Sequence, residues 1–276
     1  MTSLSEMACT VLQTSEGREK AAISRRFAAQ WFENRDLHRP INIGTAKPPL
    51  QPARPIKPEL LMPKDVPKRK MGSQKGRNAL LHAVAHIELN AIDLHWDIIA
   101  RFSDTIMPIG FYDDWVKAAD EESKHFNLIS DCLERHDSYY GAMPAHAGMW
   151  RAAQDTADDL LGRLAVVPMV LEARGLDVTP SMIKVFQNQT DTETVAALKI
   201  IYAEEVAHVA YGSKWFHFLC GKYDIDPKPK FHELVRKYFN SFLKPPFNEE
   251  KRAEAGIAPD FYWPLTENIE PPPAMR

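Results

Sequence analysis

Cysteine is scarce: only Cys9, Cys132 and Cys220 occur. They are far apart and odd in number, which argues against a disulfide framework and excludes a Cys-x-x-Cys metal knuckle. A reducing, cytoplasmic compartment is the expectation. No stretch approaches the ~20 uncharged apolar residues that cross a bilayer. Met1 to Lys20 lacks an apolar run behind a basic start, so neither membrane association nor a secretory leader is expected. Charge of one sign is also missing. A formal net charge of −3 gives no global attraction to phosphate backbones, so nucleic-acid binding would need a local basic patch. Two stretches are candidates, Lys64, Lys68, Arg69, Lys70, Lys75 and Arg77, then Lys228, Lys230, Arg236 and Lys237. Such runs are usually solvated helix ends, so RNA is not the expected partner. Strand-like alternation and a Gly-rich phosphate loop are absent too, which leaves an all-α fold.

What the chain does have is apolar content, 45% of 276 residues, enough to bury a sizeable core. A first helix is expected from Thr14 to about Leu37, where Ala21, Ala22, Phe27, Ala28, Trp31 and Phe32 recur at three- and four-residue spacing. Between Pro40 and Pro67 the density of proline forbids helix and favours an extended strap over another surface. A long, largely buried helix follows from about Ser73 to Phe102, ended by the Pro108-Ile-Gly110 break. Asp113 or Asp114 can cap a second helix running to about Asp137. A third helical region is expected to stop at Gly175, with a kink near Glu172 caused by Pro168. Thr190 and Glu193 form a capping-box pattern before a fourth helix reaching about Cys220, and Phe231 to Phe242 reads as a shorter fifth. The expected organisation is an N-terminal helix and Pro-rich arm over 1–70, a four-helix bundle over 71–222, and a C-terminal helix and tail over 223–276.

Two of these helices carry the same motif, Glu122-Ser-Lys-His125 and Glu205-Val-Ala-His208. Residues three apart on a helix project from one face, so each Glu-x-x-His can offer a carboxylate and an imidazole to one point. With 19 glutamates and 10 histidines in the chain, chance alone supplies roughly 0.7 such spacings, so the motif by itself says little. Position says more. Glu88 lies 34 residues before Glu122 and Glu172 lies 33 before Glu205, each a lone acid in an apolar stretch of the preceding helix. Two antiparallel helix pairs related by an approximate twofold would bring Glu88, Glu122, His125, Glu172, Glu205 and His208 to one midpoint. Four buried carboxylates require positive charge, and two divalent cations would balance them. Oxygen and imidazole donors without thiolate suit iron or manganese, with zinc also compatible. Tyr202, one turn before Glu205, can approach such a centre, although an aromatic there is more often core. His82, His86 and His95 read as core or surface residues.

The runs His82-Ala-Val-Ala-His86-Ile-Glu88-Leu-Asn-Ala-Ile, Asp120-Glu-Glu122-Ser-Lys-His125-Phe and Ala203-Glu-Glu205-Val-Ala-His208 resemble an uncharacterised ferritin-like family, domain of unknown function 455. That family is related to bacterial tRNA hydroxylases of the di-iron carboxylate superfamily. The resemblance covers roughly residues 70 to 220. It implies a ferritin-like bundle holding two iron ions, bridged by Glu122 and Glu205, with Glu88 and Glu172 as terminal ligands and one histidine, His125 or His208, on each metal. It also implies carboxylates just before the ligand acids, here Glu121 and Glu204, able to orient the imidazoles. The activity implied is an O2-dependent hydroxylase or oxidase, a monooxygenase-like oxidoreductase supplied by an external electron donor and acting on a small molecule or modified nucleoside. The alternatives are iron handling by a ferroxidase, peroxide reduction, or a non-enzymatic helical scaffold around a structural metal. The substrate, the donor and the oligomeric state are not written in the sequence.

Overall fold

Apolar residues on every face of the segment 80–100 call for a helix buried all round, and the chain supplies one. In the computed structural model, which describes residues 2–67, 72–239 and 241–266, α3 spans Gln74–Arg101 and buries nineteen of its residues. Before it come α1 (Leu4–Gln13) and α2 (Gly17–Asp36), and after it α4 (Ile109–Arg135), α5 (Gly148–Asp155) and α6 (Leu160–Val166). A six-residue π-helical segment, Val167–Glu172, leads into α7 (Ala173–Gln187). Then follow α8 (Thr192–Lys222), α9 (Pro227–Tyr238), α10 (Glu249–Glu254), α11 (Pro259–Tyr262) and a 3-10 turn, Trp263–Leu265. Among the described residues there is no β-strand, only the isolated bridges Leu60 to Ala145 and Leu243 to Thr266. No described helix is long and apolar enough to cross a membrane. The basic residues Lys68, Arg69 and Lys70, and the end of the C-terminal tail, lie outside the described residues. Of the other basic residues, Lys228 pairs with Asp260 and Lys230 with Glu233.

The chain forms two compact units, Met1–Gln154 with Val185–Ile200, and Asp155–Lys184 with Ile201–Arg276. In the first, α4 packs on α3 and α2, and α1 packs on α3. Polar ties fix these contacts. Buried Lys20 of α2 reaches Asp93 of α3 and the carbonyl of Ala53, and Trp96 donates to Ser24, whose hydroxyl donates in turn to the carbonyl of Ala119. Arg35 of α2 grips Asp113 of α4 through two nitrogens, at 2.9 and 3.0 Å, and Trp31 donates to the same carboxylate. Asp113 is therefore not the cap expected of it. The helix begins four residues earlier, after Pro108.

The segment between Pro40 and Pro67 is the extended strap expected from its prolines. It receives hydrogen bonds from the amides of Leu4 and Ser5 at the carbonyls of Asn42 and Ile43, and its Ala53 amide donates to Leu12. Gly44, at φ +70°, turns the strap so tightly against Ser3 and Ser5 that a Cβ would lie within 2.7 Å of both side chains. Helix α1, which the strap holds, was not expected. Its signal is nevertheless present, because Ser3 and Glu6 form a reciprocal capping box.

In the second unit α9 packs on α6, where Tyr238 donates to Asp159, the cap of α6. The helix expected to end at Gly175 continues as α7 through Gly175 and Pro180 to Gln187. Pro180 has no N–H for the carbonyl of Leu176, four residues back. The side-chain amide of Asn248 donates to that carbonyl at 3.2 Å instead. Arg252, whose guanidinium lies over the adjoining rings of Phe247 and Tyr262, forks onto the buried carboxylate of Asp177 at 2.9 and 2.7 Å. A distant segment thus supplies what the local sequence withholds. The start of α8 also differs from expectation: Asp191, not Thr190, accepts from the amide of Thr194 at 3.0 Å.

Candidate metal centre

Glu88 sits midway along α3, and Glu122 and His125 share one face of α4. Packing of these helices brings the three together with 3%, 0% and 0% of their surfaces exposed. Nδ1 of His125 lies 3.3 Å from Oε2 of Glu88 and 3.4 Å from Oε2 of Glu122. One N–H points in one direction, so a single hydrogen bond does not account for two near-equal approaches. Donor atoms bound at about 2.0–2.2 Å to a common ion stand roughly 2.8–3.6 Å apart, depending on coordination geometry. Both separations fall inside that range, and one ligand atom from each residue lies within 4.8 Å of the others.

The electrostatics favour a cation. Burial, and then the neighbouring Glu122 carboxylate, push the Glu88 carboxyl up to about 8, against the downward pull of His125. Two like charges in a dry interior repel, and without a metal the pair retains a proton near neutral pH. A divalent ion would relieve that repulsion by displacing the proton. The residues present therefore fit a hard or borderline metal.

His95, read from the sequence as core or surface, belongs to the same cluster. It lies seven residues beyond Glu88 on α3, is 1% exposed, and places Nε2 3.6 Å from Oε1 of Glu122. Its ring stacks on Trp115 of α4, with centroids 5.4 Å apart. The seven-residue interval, two helical turns on one face, was the signal that could have found it. His82 and His86 are occupied elsewhere. His82 Nε2 accepts from the Gly141 amide, while His86 contacts the Tyr140 hydroxyl and the His146 carbonyl through its two nitrogens. Burial lowers the His86 pKa to about 4, keeping it neutral.

In the second unit Glu172, Glu205 and His208 are 6%, 8% and 0% exposed. Pro168 shapes their surroundings. Its ring and missing N–H disrupt the α-helical ladder, and the chain responds by widening into a π-helical segment that ends at Glu172, with the Ala173 amide reaching back five residues to the Pro168 carbonyl. The bend expected at this proline is thus a change of helical winding, which resets the direction of every side chain after it. Helix α8 meets this segment at Gly212, where a Cβ would lie 2.4 Å from the Pro168 ring. Since α7 and α8 are joined by a short turn at 188–191, they run antiparallel. One turn forward from Pro168 reaches Glu172, and one turn back from Gly212 reaches His208, which puts the two at one level of the pair.

The sequence matches, over residues 13–263, the family described as "Protein of unknown function (DUF455)". This chain belongs to that family. The match is wider than the stretch from 70 to 220 that carries the resemblance, and it takes in α2, the strap and the C-terminal helices. The chain is also 43% identical over 210 residues to an "Uncharacterized protein" of Haemophilus influenzae, covering 74% of this chain and 73% of the relative. No solved structure matches.

Three further residues have defined places in this DUF455 chain. Tyr202 is half-buried, and its hydroxyl accepts a 2.6 Å hydrogen bond from Asn248, the side chain that also serves the Leu176 carbonyl. Glu121 pairs with Lys117 one turn earlier on α4. Glu204 is half-buried beside Glu205.

Proposed function

We propose that this protein is a ferritin-like, dinuclear metal oxidoreductase in which Glu88, Glu122, His125, Glu172, Glu205 and His208 hold two iron ions. What supports the reading above all is the Glu88, Glu122 and His125 cluster: two buried carboxylates and an imidazole at the separations of ligands to one ion, with Glu88 pushed far above its ordinary pKa by burial and Glu122. The repeat of the same residue pattern in Glu172, Glu205 and His208 supplies the second set, with equal numbers of carboxylate charges and cationic charges. Manganese or zinc would satisfy the same donors.

The metals would supply activation of O2, and the protein would supply geometry and a dry pocket. The reaction class is hydroxylation of a small molecule or modified nucleoside: one oxygen atom enters a C–H bond, the other leaves as water, and an external donor provides two electrons with two protons. Glu122, whose two oxygens face different imidazoles, those of His125 and His95, would be shared by the two ions, and Glu88 and His125 would hold one of them.

Ferrous iron added under nitrogen should reach two ions per chain, and Glu122→Ala should retain fewer than one. Admission of O2 should then give a transient visible absorption in the wild type. Uptake of many irons per chain with formation of large particles would instead identify an iron store, and unchanged iron content in Glu122→Ala would end the proposal.

A further inference from the structure

The geometry points to His95 as a seventh metal ligand, bound through Nε2 on the Oε1 side of Glu122, so that one of the two ions carries an additional imidazole. The inference rests on the dinuclear reading above and extends it to a residue outside the repeated pattern.

Three observations carry it. The 3.6 Å between His95 Nε2 and Glu122 Oε1 is too long for a hydrogen bond but lies at the upper end of the spacing between donors on a shared ion. The two oxygens of Glu122 are divided between two rings, Oε2 facing His125 and Oε1 facing His95. A carboxylate that bridges two metals with one imidazole beyond each oxygen has this disposition. Finally, the His95 ring is set in place: it is 1% exposed and lies nearly parallel to Trp115, at 25°, so the direction of Nε2 is fixed before any ion arrives. Fixed orientation is what a ligand needs and a space-filling core residue does not.

The consequence is asymmetry. His125 and His208 give each ion one imidazole by the repeat, and His95 would raise the ion on the Oε1 side to two. Added nitrogen without added charge favours metals later in the divalent affinity series, so this position should discriminate more strongly for zinc over manganese than its neighbour.

Cobalt(II) tests the assignment without recourse to turnover. In the cobalt-loaded protein each coordinated ring contributes one strongly shifted, solvent-exchangeable N–H proton resonance, and three are expected. His95→Gln should lose one of them and weaken the second cobalt by at least tenfold, while its circular dichroism stays that of the wild type. Because the wild-type count needs no variant, misfolding of His95→Gln does not obscure the answer. Two shifted resonances in a protein that binds two cobalt ions would overturn the inference and leave the dinuclear reading standing. A protein that takes up no cobalt would overturn both.

Discussion

At Glu88 the physics of one side chain separates two states of the protein. Its carboxyl is raised to about 8 chiefly by burial and then by Glu122, so the metal-free fold binds this proton more tightly than the unfolded chain does. The contribution to stability is full below the ordinary carboxylate pKa and is lost as pH rises through about 8. Glu88→Gln should therefore stabilise the metal-free protein at pH 8.5, on the order of 1–3 kcal/mol, and change little at pH 5, as urea denaturation at the two values would show. The same variant should bind iron at least tenfold more weakly, because an amide cannot replace the charge. A metal-free variant less stable than wild type at pH 8.5 would contradict the assigned environment. Much of this was legible in the sequence, where lone acids in apolar runs and the Glu-x-x-His spacing marked the residues. His95 was only half legible: its seven-residue interval from Glu88 puts it on the same helix face, but the stacking on Trp115 of another helix, which sets its ring, is tertiary.

Among the elements, the π-helical segment 167–172 shows where local pattern stops being informative. Proline at 168 announces a disturbed helix, but whether the chain kinks or widens depends on what packs against it, here Gly212 of α8. Similar reasons explain the misread ends. Asp113 looked like a cap because its pairing with Arg35 and Trp31 is tertiary, and Gly175 looked like a stop because Asn248 and Arg252 hold α7 from a distance of some seventy residues in sequence. Gly212→Ala would push a methyl group into the Pro168 ring, costing about 1–3 kcal/mol and parting the segment that carries Glu172 from α8. Its melting temperature and its iron affinity should fall together. Pro168→Ala should separate the two effects. With an N–H restored, the segment can return to α-helical winding, which turns Glu172 by roughly 100°; stability should hold or rise while affinity for one ion drops at least tenfold. Retention of full affinity in Pro168→Ala would show that the widened turn has no part in placing Glu172.

For the whole molecule, the proposed ligands lie on four stretches of chain between residues 88 and 208, so no unfolded state can hold them together. Metal binding is then folding free energy, and its removal a loss of stability. At a free metal concentration a hundred times the dissociation constant the linkage amounts to about 2.7 kcal/mol, which in a chain of this size corresponds to a rise on the order of 4–8 °C in melting temperature. Iron-loaded protein should melt that much above the same protein stripped by chelator. The gap should grow with added metal and narrow as pH falls below about 8, where protons on Glu88 and its neighbours compete with the ion. Glu122→Ala, which retains fewer than one ion, should show a much smaller gap at every pH. A stripped protein that melts with the loaded one across this range would mean that the buried acids keep their protons for structural reasons alone, and that the repeated Glu and Glu-x-x-His pattern serves packing rather than metal.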